Sequence, residues 1–194
     1  MSSITSVSPR TLADAIPGGL VRNVALIGGG AGLIGLTAQV AFHLPFTPVP
    51  LTLQTLSVLL VGSVLGSKRG LLCLALYALV GMAGFGWFSD GRSGWQFASF
   101  GYIIGFVLAA VLVGKLAEHG ADRTLAKSIG QMALGSVVIY AVGVPWLMAQ
   151  TGMSLPRALA AGVLPFVIFD AIKLVIAAGL LPATWKLVNH RRDV

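Results

Sequence analysis

Charge is what this chain has least of. Thirteen Lys and Arg and six Asp and Glu make up 10% of 194 residues, against roughly 25% in an ordinary soluble domain. So few charged side chains cannot cover a globular surface, which excludes a soluble enzyme and a disordered segment. The single cysteine, Cys73, excludes a disulfide framework and a cysteine metal site. No GxxxxGK[ST] and no HExxH occurs, so neither P-loop ATP binding nor zinc-protease chemistry is expected, and no metal site is assigned. His43, His119 and His190 fall at the ends of apolar runs or in loops. A metal transporter or intramembrane protease needs such groups facing one another at depth.

What is abundant is apolar: 56% hydrophobic residues and a mean hydropathy of +0.90. A helix needs about 20 apolar residues to cross the hydrocarbon core. Charge-free stretches cover 23–67, 70–89, 93–114 and 128–156, and 158–185 is broken only by Asp170 and Lys173. Pro45, Pro48 and Pro50 divide the first stretch in two. The expected fold is an all-α membrane protein, a bundle of six transmembrane helices near 22–43, 51–67, 69–84, 97–117, 126–149 and 161–188.

The basic residues set the orientation. With the N-terminus inside, Arg10, Arg22, Lys68, Arg69, Lys115, Arg123, Lys127, Lys186, Arg191 and Arg192 all fall on the inner side, and only Arg92 and Arg157 fall outside. This bias predicts that both termini are cytoplasmic. It also accounts for the net charge of +7 without nucleic acid; membrane lipid is the expected surrounding. Residues 1–21, rich in Ser, Thr and Pro, read as a loose, uncleaved cytoplasmic tail. Residues 22–188 form one domain and 189–194 a second short tail.

Gly30-Ala31-Gly32-Leu33-Ile34-Gly35 matches GxGxxG but lies inside the first span, and the next acid is Asp90. A dinucleotide site needs a strand before it and an acid about 20 residues on. The glycines instead make small-xxx-small pairs, Ala25/Gly29, Gly28/Gly32 and Ala31/Gly35, which let helices approach closely. That face packs either within the bundle or against another protein's helix.

Asp170 and Lys173 are the ionisable pair inside a span. Their spacing places them on one helix face, and each alone costs about 2.5–3.5 kcal/mol to insert. With Pro165 in the first turn, Asp170 lies about 7–8 Å and Lys173 about 12 Å below the outer end of the helix. A site there faces the medium: Lys173 is suited to an anionic group and Asp170 to the N–H groups of a polar ring. The alternative is a pair that only fixes packing. The stretch 45–54 is a stiff, proline-rich outer loop that brings Thr47, Thr52 and Gln54 to the same level. The loop 84–96 mixes glycines and aromatics with Asp90 and Arg92, and reads either as a mobile lid or as interfacial anchoring.

These segments resemble the BioY family, the biotin-binding S components of energy-coupling factor transporters. The matching pieces are PFTPVPLTLQTLSVLLVG at 45–62, YALVGMAGFGWF at 77–88, GYIIGFVLAA at 101–110 and GVLPFVIFDAIK at 162–173. The resemblance implies a plasma (inner) membrane protein that captures biotin in a pocket opening outward, with no catalysis and no cofactor. It implies that Asp170 and Lys173 bind biotin, with Gln54, Thr47 and Thr52 at the same level. The loop after the third helix adds Trp87, Asp90 and Arg92, and the head of the fourth adds Tyr102. It further implies a transmembrane coupling protein and two ATPase subunits as partners, docked on the Ala25, Gly28, Gly29 and Gly32 face. One departure stands out: where the family commonly reads GPTGGY, this chain has Phe97-Ala98-Ser99-Phe100-Gly101-Tyr102, so a differently shaped outer pocket edge is expected. The alternatives are an S component for another small vitamin, a membrane enzyme using the Asp170/Lys173 pair, and a channel or assembly protein without a ligand.

Overall fold

The computed structural model describes residues 10–190; residues 1–9 of the expected first tail, and Arg191 and Arg192 of the second, lie outside them. The chain is mostly helical. Its helices are α1 (Leu20–Ala38), α2 (Gln54–Leu65), α3 (Ser67–Met82), α4 (Phe100–Glu118), α5 (Leu125–Thr151), α6 (Leu155–Gly162) and α7 (Leu164–His190). Among the described residues, α1, α4, α5 and α7 are long and apolar enough to cross a membrane, and α2 is a shorter apolar helix.

Two boundaries differ from expectation. The first helix stops at Ala38 rather than continuing to 43, and Ala41–Phe42 (β1) pairs antiparallel with Leu51–Thr52 (β2). The prolines cause this: Pro45, Pro48 and Pro50 cannot donate to a helix ladder and force extended neighbours. The Thr47 hydroxyl accepts the Val49 N–H at 3.1 Å and sets the turn. The last span begins at Leu164, and the residues before it form the separate α6. Between them Val163 leaves helical geometry, and Pro165 sits in the first turn of α7, where its missing N–H is tolerated.

Helix α4 is central, packing on α5, α2 and α3. Its small residues set the spacing, because a Cβ on Gly105 would lie 2.9 Å from the Ile139 backbone. Helix α7 is apolar on all sides, as a lipid-surrounded helix is. Burial still picks out one stripe, Phe166, Asp170, Ala177, Leu181 and Trp185, at spacings of four, seven, four and four residues. Ile168, Ile172, Val175 and Leu180 point outward.

Residues 11–15 correct the expectation of a loose tail. Thr11, Leu12 and Ala13 are buried in a short 3-10 turn against α2 and α7. Arg69 of α3 donates to Asp14 at 2.5 Å and to Thr11 Oγ1 at 3.2 Å. Burial pushes the Asp14 carboxyl up, but hydrogen bonds from Arg69 and Thr11 outweigh it and hold the group below its ordinary value. A carboxyl lowered on folding adds stability above its unfolded pKa and loses it as pH falls through the folded one. Acidification below about pH 4 is therefore expected to release this segment. Hydrogen exchange at residues 11–15 should rise there, and Asp14→Asn should show the same rise at neutral pH. Unchanged protection in both would show that apolar burial alone holds the segment.

Candidate functional site

Asp170 is a buried carboxylate reached from three helices. Its Oδ1 accepts the Thr55 hydroxyl of α2 at 2.9 Å and the Lys173 ammonium at 2.9 Å, and its Oδ2 accepts the Tyr140 hydroxyl of α5 at 2.5 Å. Lys173 also donates to the Thr52 carbonyl at 2.7 Å and to Thr55 Oγ1 at 3.1 Å. All three ammonium hydrogens are thus used. The pair is neutral as a unit and ties α7 to α2, α5 and the strand β2. Such satisfaction is what allows buried charge to persist in an apolar interior.

The pair forms one wall of a cleft that is open at its mouth. Thr52, Gln54 and Tyr102 line the same cleft, so five of the sequence-predicted residues come together. Gln54 is held from behind, its amide nitrogen donating to the Tyr77 hydroxyl at 2.8 Å. Tyr102 presents its ring, because its hydroxyl donates to the Gly162 carbonyl at 2.8 Å; Gly143 and Gly162 leave the space that this ring occupies. Ile103, Phe106, Ile139 and Phe166 supply an apolar surface suited to hydrocarbon or thioether.

Four predicted residues do not line the cleft. Thr47 is a turn former in the β1–β2 connection. Trp87 turns toward α1 and α3: its indole donates to the Tyr77 carbonyl at 2.9 Å, and its ring fills the space beside Gly35. Asp90 and Arg92 lie at the rim, with Asp90 bridging His43 at 3.0 Å and Arg92 at 3.5 Å. The reason is local backbone. Asp90 (φ 64°) and Gly91 (φ 67°) are both left-handed, and this tight reversal swings Asp90 and Arg92 outward and brings Ser89 to the cleft.

The segment is also packed rather than loose. Phe88 is fully buried among Tyr77, Phe97 and Phe100, and the Gln39 amide donates to the Trp87 and Phe88 carbonyls at 3.1 and 3.2 Å. Thr55 and Tyr140 were missed from sequence. The available signal was weak: Thr55 follows Thr52 by three residues, and Tyr140 is the tyrosine in the charge-free run 128–156.

The candidate partner face on α1 divides in two. Gly30 and Gly35 pack inward, on Cys73 and Trp87 respectively, whereas among the described residues Gly28, Gly29 and Gly32 have no atom near a would-be Cβ. Ala25, Gly28 and Gly29 are exposed.

Comparison with known proteins agrees with this architecture. Residues 5–190 match the model of the BioY family. The chain is 39% identical over 138 residues to a protein of Thermotoga maritima named biotin transporter BioY, covering 70% of this chain and 80% of that one. It is 33% identical to biotin transporter BioY2 of Lactococcus lactis, covering 87% and 92%. The crystal structure of an S-component for biotin from an ECF-type ABC transporter superposes with a TM-score of 0.77 over 86% of this chain and 92% of that chain, at 22% identity, which establishes a shared fold. A match over nearly the whole chain, with the ionic pair and cleft assembled by the segments that carry the resemblance, makes this protein a member of the BioY family.

Proposed function

We propose that the protein captures biotin from outside the cell as the S component of an energy-coupling factor transporter in the plasma membrane. The observation that carries this reading is the neutral, fully hydrogen-bonded Asp170–Lys173 pair set in the wall of an otherwise apolar cleft. Biotin joins a ureido ring with two N–H donors to an apolar body, and Asp170 supplies the charged acceptor for them. The relatives are transporters by name, which sets the membrane-enzyme alternative aside. Native mass spectrometry with and without biotin tests the reading: a one-to-one adduct is expected. An adduct with a different small vitamin, and none with biotin, would replace it with the other S-component reading.

In this reading six helices cross the bilayer, α1 to α5 and α7, with both termini cytoplasmic, as the positive-inside bias supports. Helix α2, at about 18 Å, is the shortest of the six and joins α3 through Gly66. A transmembrane coupling protein and two ATPase subunits supply the energy. The open Ala25, Gly28, Gly29 and Gly32 face of α1 is where the coupling protein docks, since the absence of side-chain bulk there suits a close helix crossing. Gly28→Leu is expected to leave biotin binding intact and to lower uptake in cells that supply the coupling module. An equal fall in binding and uptake would place that face inside the bundle's own packing.

A further inference from the structure

We propose that the cleft has a second polar end, Ser89 and Ser99 at the N-terminus of α4, and that it receives the carboxylate of the captured ligand. This deepens the biotin reading and rests on it.

The ionic pair is ill suited to that carboxylate. All three Lys173 hydrogens are already used, on Thr52, Thr55 and Asp170. An incoming carboxylate would also meet the like charge of Asp170, which destabilises it in a low-dielectric site. The pair is therefore the end that accepts N–H groups, and the ligand's own anion needs donors elsewhere.

Ser89 and Ser99 are 6% and 7% exposed and both line the cleft, yet neither hydroxyl has a hydrogen-bond partner among the described residues. Ser99 is the N-cap residue of α4 but makes no side-chain cap bond, so its hydroxyl is not spent on the helix as an N-cap serine's usually is. Among the described residues the Gly101 N–H lacks a backbone acceptor as well. The Phe100 and Tyr102 N–H groups are already taken, by the Phe97 and Ser99 carbonyls at 3.1 Å, so what this helix start offers an anion is mainly its dipole. Here it is joined by two largely buried serines whose free hydroxyls a polar ligand in the cleft would satisfy.

The order of groups along the cleft fits a long ligand. Ser99 stands at the head of α4, with Ile103 and Phe106 one and two turns further in on the same face. Asp170 lies between one and two turns down α7. A molecule with its polar ring at Asp170 and its chain over Ile103 and Phe166 brings a terminal carboxylate toward Ser99 and Ser89. The neighbouring Asp90 does not oppose this, since its carboxylate is engaged by His43 and Arg92 and lies outside the cleft lining.

The test compares biotin with biotin amide, which keeps the ring and chain but lacks the anion. Titrated against the unaltered protein, biotin should bind at least tenfold more tightly than the amide. In the Ser89→Ala, Ser99→Ala double variant, biotin should weaken by about ten- to hundredfold, the worth of hydrogen bonds to a charged group, and the preference should collapse toward one. Should that variant not purify, Ser99→Gly, well tolerated at an N-cap, carries the same comparison. A preference that survives in the serine variants overturns the proposal. A preference lost instead in Arg92→Gln moves the carboxylate to the rim, which overturns it too. If the unaltered protein binds no biotin at all, the underlying reading fails, and the serine assignment falls with it.

Discussion

Replacing Lys173 with Ala is expected to weaken biotin binding by at least tenfold while the protein still inserts and purifies as a monodisperse species. Lys173 fixes Asp170 Oδ1 and the Thr52 carbonyl at once, so its loss disturbs the acceptor and the strand beside it together. A hydrogen bond to a charged group is worth about 1.5–3 kcal/mol, or ten- to hundredfold in affinity. Thr55 and Tyr140 still donate to Asp170, which is why the variant folds, though with lowered thermal stability from the uncompensated charge. The double change Asp170→Asn with Lys173→Met separates packing from binding. A purely structural pair would recover both stability and affinity; a binding pair recovers stability and remains unable to hold biotin. Near-normal affinity for labelled biotin in the double variant would sink the assignment.

Gly81→Ala is expected to be severely destabilising for a change of one methyl group. The new Cβ would fall inside the ring of Phe88, which is fully buried and bounded by Tyr77 at 5.2 Å and Phe97 at 5.8 Å. Interiors at this density do not absorb such an insertion, and overpacking costs about 1–3 kcal/mol. Because Ser89 follows Phe88 directly, the shift should carry into the cleft and lower biotin affinity as well. Thermal unfolding in detergent measures the first effect and titration the second. Adding Phe88→Leu to Gly81→Ala should restore part of the stability. If Gly81→Ala unfolds at the unaltered temperature, the 84–99 segment does not owe its place to this contact.

Asp170 and Lys173 could be read from sequence because they interrupt a charge-free run, where any ionisable residue is conspicuous. Their partners could not. Thr55 and Tyr140 are ordinary residues in apolar helices, and they reach Asp170 across 115 and 30 residues of chain. Gln54 and Thr52 were legible because a proline-ended loop must deliver its last residues to a helix start. Trp87, Asp90 and Arg92 were misplaced for a conformational reason: two consecutive left-handed residues reverse the segment and exchange which side chains face inward. Residues 11–15 looked like a tail because they lie in a stretch, 1–21, rich in Ser, Thr and Pro. What orders them is Arg69, far off in sequence. The separate α6 went unread for a similar reason, since its limits depend on Val163 leaving the helix.

The saturation of Lys173 has a consequence for the empty protein. A carrier spends part of its life unloaded in a membrane that holds ionic gradients, and an exposed ammonium or carboxylate there would be a stepping stone for inorganic ions. Here every hydrogen of the ammonium is committed to an oxygen of the protein itself. A chloride finds no spare donor at the pair, and a sodium ion finds the place among the Thr52, Thr55 and Asp170 oxygens already filled. At the pair itself, therefore, neither ion meets a partner that the protein has not already taken.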